Sequence, residues 1–268
     1  MGNATAANAE QAALLDIERR GAVLTVGLNR PAKRNALNDG IILAIGDCFA
    51  SLPDDIGAVV IHGIGDHFSS GLDLSELTEH DATEGLRHSQ MWHRVFDRIQ
   101  YSRVPVIAAL RGAVIGGGLE LACAAHIRVA EPSAYFALPE GQRGIFVGGG
   151  GSVRLPRLIG VARMTDMMLT GRVYSATEGS AYGFAQYLVE EGGALKKALE
   201  LAERIASNAP LTNFAVLQAL PMIAESNPQT GLLMESLMAT VAQSDKEAKR
   251  RIRAFLEHKT AKVKPGST

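Results

Sequence analysis

The spacing of apolar positions changes from segment to segment along the chain, and each spacing predicts an element. "AVLTVGLNRP" (22–31) mixes β-branched and apolar residues and stops at Asn29-Arg30-Pro31, which is the pattern of a strand. In "NALNDGIILAIGDCFASL" (35–52), Leu37, Ile41, Ala44, Ile45, Cys48 and Phe49 fall at helical spacing, with Asn38 or Asp39 placed to cap the start. "IGAVVIHGIG" (56–65) predicts a second strand, and "FSSGLDLSEL" (68–77) a turn leading into a helix. Residues 84–100 predict a helix with Trp92, Phe96 and Ile99 on its inner stripe. "VPVIAALRGAVIGGG" (104–118) predicts a third strand and a glycine turn, and "LELACAAHI" (119–127) a short helix. "HIRVAEPSAYFALPE" (126–140) holds two short strands, and "VRLPRLIGVARMTDMMLTG" (153–171) is helical again.

This alternation predicts an α/β fold with largely parallel strands. From about Lys196 the strand pattern stops. "KKALELAERIASN", "FAVLQALPMIAE", "GLLMESLMATVAQ" and "KEAKRRIRAFLEHK" are helical patterns separated by Asn-Ala-Pro and Ser-Asn-Pro breaks. The expected organisation is a flexible tail over 1–13, an α/β core over 14–195 and a helical region over 196–268.

Composition narrows the function classes. Of the 268 residues, 47% are hydrophobic and 21% charged, enough apolar material for a sizeable core. A net charge of −1 gives no bulk attraction to nucleic acid or to an anionic membrane. The apolar runs are too short and too interrupted to span a bilayer. The start, "MGNATAANAEQAA", has no basic-then-apolar signal. Cys48 and Cys123 sit in apolar surroundings without a Cys-x-x-Cys pair, as buried thiols of a reducing compartment do. The expected location is the cytoplasm.

Several familiar motifs fail. A dinucleotide fingerprint needs Gly-x-Gly-x-x-Gly, but Gly63-x-Gly65 meets Phe68, Gly116-x-Gly118 meets Leu121, and Gly148-x-Gly150 meets Val153. No phosphate-loop Gly-Lys-Ser/Thr is present, and Ser70 has Phe68 where a nucleophile elbow needs glycine. The histidine pairs 62/67 and 88/93 are five apart, a poor fit to one helix face, so no metal site is expected.

What remains is glycine beside acid. Gly116 to Gly118 precede the helix that carries Glu120, and glycine lets a ligand approach main-chain N–H groups closely. A helix start adds free N–H groups and a dipole that favours negative charge. With the second glycine turn, "SSGLDL", two N–H donors are placed to converge on one oxygen as an oxyanion hole, worth about 3–4 kcal/mol per donor. Glu120 and Glu140, each in apolar sequence, would have raised pKa values, and two near each other would be driven apart. Such a pair suits adding or removing water, or moving a proton beside a carbonyl. Read by residues alone, Glu120 is either such an acid or a first-turn glutamate favoured by the dipole.

The stretches "NRPAKRNALN" (29–38), "GDHFSSGLDLSEL" (65–77), "PVIAALRGAVIGGGLELACAAHIRVA" (105–130) and "YFALPEGQRGIFVGGGGSVRLPRLIG" (135–160) together resemble the crotonase, or enoyl-CoA hydratase/isomerase, superfamily. The resemblance covers residues 15–256. It implies a crotonase-like ββα spiral core with a C-terminal helical region used in trimerisation, as a homotrimer or a dimer of trimers. It implies an acyl-CoA substrate, with coenzyme A as part of the thioester and no tightly bound cofactor. The implied oxyanion donors are the backbone N–H groups of Leu72 and Gly117. The implied acids are Glu120, which would deprotonate water attacking Cβ, and Glu140, which would protonate Cα. Implied substrate and CoA contacts are Lys33, Arg34, Ala36, Ser70, Gly71, Asp73, Leu74 and Gly116. Lys33 and Arg34 either meet phosphates or are solvated loop charges, and Asp73 either lines the site or caps the following helix. Trp92, Phe96 and Phe146 either line an acyl pocket or pack in the core. Retention of both glutamates favours reversible hydration of a 2-trans-enoyl-CoA, as in fatty acid metabolism. The alternatives are double-bond isomerisation, carbon–carbon lyase or hydrolase chemistry on an unusual acyl-CoA, or a non-catalytic CoA-binding role.

Overall fold

The computed structural model describes residues 14–76 and 81–257. The chain divides into two compact units after Ala206.

In the first unit, β1 (Leu15–Arg20) and β2 (Val23–Leu28) form an antiparallel hairpin, from the Leu15–Leu28 pair to the Arg20–Val23 pair. The charged sequence "LDIERR" suits β1 to a sheet edge, which is why hydrophobic patterning does not reveal it. The chain then runs through α1 (Asp39–Ala50), β3 (Ala58–Gly63), α2 (Ala82–Gln100), β4 (Val106–Leu110), β5 (Ala113–Ile115), α3 (Gly117–Ala124), β6 (Ile127–Ala130) and β7 (Tyr135–Ala137). It continues with α4 (Gly151–Ile159), α5 (Val161–Thr170), β8 (Tyr174–Ser175), α6 (Ala176–Tyr182), β9 (Tyr187–Leu188) and α7 (Ala194–Ala206).

The main sheet has the order β1-β2-β3-β4-β6-β9, and every pairing beyond the first hairpin is parallel. Parallel strands covered on both faces read as continuous apolar runs, and the alternation inside those runs sorts the side chains. Val59 and Ile61 of β3 join Val106, Ala108 and Leu110 of β4 in the larger core, beneath α1, α2 and α3. Ala58 and Val60 turn the other way with Ile107 and Ala109, where Ala198, Leu201 and Ala202 of α7 cover them. This packing assigns α7, which begins at Ala194, to the first unit. A second sheet, β5-β7-β8, sits apart from the first. The single strand expected over 104–118 is therefore two strands in different sheets.

Local chemistry sets the element ends. Asn38 is the cap of α1, its side chain accepting from the Ile41 amide at 3.1 Å. Asp81 and Glu84 form a reciprocal capping box at the start of α2. Gly160 divides the long helix expected over 153–171 into α4 and α5. The turn at "SSGLDL" leads into a 3-10 turn, Leu74–Glu76, and residues 77–80 lie outside the described residues. Cys48 is half-buried and Cys123 buried; both are free thiols, pushed up to about 11 by burial. Among the described residues no helix is long and apolar enough to cross a membrane.

Among its described residues, the second unit has helices and no strand. Its helices include Pro210–Phe214, Leu220–Glu225, Pro228–Ser244 and Lys246–Leu256. A π-helical turn, Ala215–Ala219, precedes Pro221, which cannot donate to a carbonyl one turn back and whose ring displaces it. In Pro228–Ser244 only Gly231 is buried, while Leu233, Leu237 and Val241 are exposed.

Candidate active site

The glycine turn of "VIGGGLEL" ends β5 and starts α3. Gly116 has φ 52°, the left-handed region that only glycine enters without strain, and Gly117 is the first residue of the helix. Its N–H therefore has no carbonyl one turn back to bond. Among the described residues that amide donates to no protein atom. Alanine does not fit here, because a Cβ at Gly117 would sit 2.8 Å from Trp92 Cζ3.

The second turn lies against the first. Ser69 is laced to β5 by its amide to the Ala113 carbonyl and by the Ile115 amide to its own carbonyl. Past Gly71 (φ 88°) the chain pairs on its other side, with the Leu37 amide donating to Gly71 O and the Asp73 amide to Leu37 O. Because peptide groups alternate along an extended chain, the Leu72 N–H between them points away from Leu37. It faces Gly117, whose Cβ position would be 3.6 Å from Leu72 N. The Leu72 amide also has no acceptor among the described residues. Two unengaged main-chain donors thus share one cavity of about 410 Å³.

Both glutamates line that cavity. Glu120, on the first turn of α3, is 4% exposed, and its Oε1 accepts from the amides of Gly149 at 2.9 Å and Gly151 at 2.7 Å. Burial pushes its carboxyl up to about 7, with the nearby Glu140 adding to the rise and the two amides opposing it. Glu140 follows β7 and Pro139, and its Oε1 would lie 2.6 Å from a Cβ at Gly116. Its carboxyl is also raised by burial, opposed by its own backbone amide and by Arg143. Its buried Oε2 has no hydrogen-bond partner among the described residues. Two carboxyl groups that burial inclines to hold their protons are suited to proton transfer. Among the described residues no cluster of His, Cys, Asp and Glu could hold a metal ion.

The cavity continues into a groove of about 460 Å³. Lys33, Arg34, Ala36 and Asp73 line the groove, and Ser70, Leu72, Leu74 and Arg143 line both spaces. Asp73 is 6% exposed, and its carboxylate takes Arg30 Nη2 at 2.8 Å, Lys33 Nζ at 3.0 Å and Ser75 Oγ at 2.6 Å. It also accepts from the Ser75 amide, so it caps the 3-10 turn and ties the 30–37 loop to it.

The sequence profile of the enoyl-CoA hydratase/isomerase family matches residues 18–265. The chain belongs to this family. It is 33% identical over 244 residues to the short-chain-enoyl-CoA hydratase of Clostridium acetobutylicum, covering 90% of this chain and 94% of that one. It is 34% identical over 254 residues to the 2,3-dehydroadipyl-CoA hydratase of Escherichia coli, covering 93% and 98%. A crystal structure of a protein from Rhodopseudomonas palustris is 80% identical and superposes with a TM-score of 0.90, over 93% of this chain and 97% of that one. The crotonase fold expected from the sequence is thus the fold of the chain, and the chain is an enzyme of the enoyl-CoA hydratase kind.

Against this family background, the cavity gathers the sequence-expected Ser70, Gly71, Leu72, Leu74, Gly116 and Gly117 together with Glu120 and Glu140. The expected Lys33, Arg34, Ala36 and Asp73 gather in the groove. Trp92 and Phe146 line the cavity, whereas Phe96 is fully buried beneath it. Sequence reasoning missed Arg143, which borders both spaces, and the Gly149–Gly151 segment that receives Glu120. The four consecutive glycines 148–151 were the available signal.

Proposed function

We propose that the chain catalyses reversible hydration of a 2-trans-enoyl-CoA to a 3-hydroxyacyl-CoA. The observation that carries this reading is the pair of buried glutamates with raised pKa values facing the same cavity as two unengaged amides. The thioester oxygen accepts from the N–H groups of Leu72 and Gly117. The acyl chain extends between Trp92 and Phe146, and the CoA part follows the groove past Lys33 and Arg34. Ionised Glu120 takes a proton from water as the water oxygen bonds to Cβ. The carbon–carbon π electrons move toward the thioester, whose oxygen gains charge that the two amides stabilise in the transition state. Protonated Glu140 then gives its proton to Cα, and exchange with water restores both carboxyl groups.

The test is loss of the conjugated-thioester absorbance with short, medium and aromatic enoyl-CoAs. Glu120→Gln and Glu140→Gln are each expected to lower kcat by about 10²-fold or more, within the range of general acid–base catalysis, while still binding CoA esters. Full turnover in either variant refutes the role of that residue.

The second unit supports a further reading, assembly as a homotrimer or a dimer of trimers. Its 17-residue helix Pro228–Ser244 buries only Gly231 within the chain, leaving Leu233, Leu237 and Val241 as an apolar row. Light scattering in solution is expected to give three or six chains, and a monomer mass refutes it.

A further inference from the structure

The Gly149–Gly151 segment is held by one buried cation. Arg154, on α4 and 8% exposed, donates from Nη1 to the Gly149 carbonyl at 3.0 Å. Its other nitrogens reach α2, with Nη2 to Asp97 Oδ1 at 2.6 Å and Nε to Gln100 Oε1 at 2.5 Å. The same peptide segment turns its amides to Glu120: Gly149 N and Gly151 N both donate to Oε1, at 2.9 and 2.7 Å. Each glycine is dictated by this arrangement. A Cβ at Gly149 would lie 3.1 Å from Glu120 Oε2, and one at Gly151 would lie 2.7 Å from Glu120 Cγ. Gly150 has φ 92°, and its Cβ position is occupied by the Arg154 guanidinium.

We propose that Arg154 is a positioning residue for Glu120: by tying the Gly149 carbonyl to α2, it keeps both amides on Oε1 and leaves Oε2 for water. Asp97 and Gln100 fix the guanidinium, so the chain of contacts runs from α2 through Arg154 and the glycine segment to the carboxylate. This rests on Glu120 acting on water, as proposed above.

Amides on Oε1 favour the ionised carboxylate, so loosening the segment raises the Glu120 pKa above its value of about 7. The other groups facing Glu120 are Glu140 from the turn after β7, Arg154 itself from α4 and Cys123 from α3. From α2, Asp97 acts through Arg154, and His93 lies beside Gly150. None of these is changed by an Arg154 substitution except Arg154.

The test is the kcat–pH profile of Arg154→Met and Arg154→Lys. In Arg154→Met the acid limb is expected to move to higher pH and kcat at pH 7 to fall about tenfold, the scale of one charge-assisted hydrogen bond. KM stays within about twofold, because binding of the thioester does not use the clamp. Arg154→Lys, which still reaches a carbonyl, restores part of the loss. If Arg154→Met does not fold, Asp97→Asn carries the same test, since the Asp97 side chain is 52% exposed and its loss frees the guanidinium from one of its two anchors on α2 while the Arg154 charge stays. A folded variant with an unmoved acid limb overturns the proposal, even if its kcat is lower. If the unsubstituted protein hydrates no enoyl-CoA, the functional reading fails instead. The clamp is then read directly by infrared titration of the Glu120 carboxyl, with Glu120→Gln as the reference. A midpoint that rises in Arg154→Met supports it, and an unchanged midpoint overturns it.

Discussion

Replacing Gly117 by alanine puts a methyl group where the structure has Trp92. The new Cβ would sit 2.8 Å from Cζ3 and 3.2 Å from Cη2 of the indole. Carbon atoms in contact settle at about 3.5–4.0 Å, so something must move by roughly 0.7 Å. Trp92 has little freedom to do so: it is 4% exposed and stands edge-on to Phe96, with ring centroids 5.6 Å apart, and against His88 at 5.9 Å. The start of α3 must yield instead, carrying the Gly117 amide away from the place proposed for the thioester oxygen. A hydrogen bond of about 2.9 Å stretched by that much lies outside the useful range. Losing one oxyanion donor costs about 10²–10³ in kcat, or about 2.7–4 kcal/mol. Steady-state hydration of an enoyl-CoA measures it, with circular dichroism and thermal unfolding to show that the fold persists. Gly117→Ala combined with Trp92→Leu removes the obstructing ring edge and is expected to recover at least about tenfold of the loss, read as a double-mutant cycle. Nearly full turnover in Gly117→Ala alone would refute the placement of the donor. No recovery in the double variant would refute the indole contact as the cause.

Activity is expected to rise with pH through about 7 as Glu120 ionises, and a kcat–pH profile checks that limb. Stability is linked to the same carboxyl. A folded-state value raised from 4.5 to about 7 means that the native protein holds the proton more tightly, so this contribution is full below about 4.5 and is lost as pH rises through about 7. The difference amounts to roughly 3 kcal/mol, so Glu120→Gln gains on the unsubstituted protein by up to that amount between pH 5 and 8. Urea unfolding at the two pH values measures it, and parallel curves exclude it. Asp73→Ala removes the buried carboxylate that takes both Arg30 (13% exposed) and the half-exposed Lys33. Breaking a buried pair costs about 3–5 kcal/mol, and the exposure of Lys33 places this case near the lower end. Chemical denaturation checks the stability, and calorimetry should show weaker binding of CoA through the loosened 30–37 loop.

Much of the site was legible because its chemistry is local in the chain. "GGGLEL" specifies an open helix start followed by an acid, whatever surrounds it, and "SSGLDL" specifies a second turn that bares an amide. The β2, β3 and β4 patterns were legible for a similar reason, since strands covered on both faces must be apolar throughout. The edge strand β1 was not, because one paired side and a solvated face leave no apolar alternation to read.

The sequence by itself determined which residue types were available: two glutamates in apolar surroundings, glycines before a helix, and a central alternation of strands and helices. Only the tertiary structure decided that Leu72 and Gly117 face each other across one cavity, that Asp73 is occupied by Arg30 and Lys33, and that glycines 149–151 receive Glu120. The physical reason is range. Helix starts, caps and glycine turns are fixed by neighbours a few residues away, whereas the ionisation of Glu120 depends on amides 29 and 31 residues distant and on burial that exists only after the layers have packed.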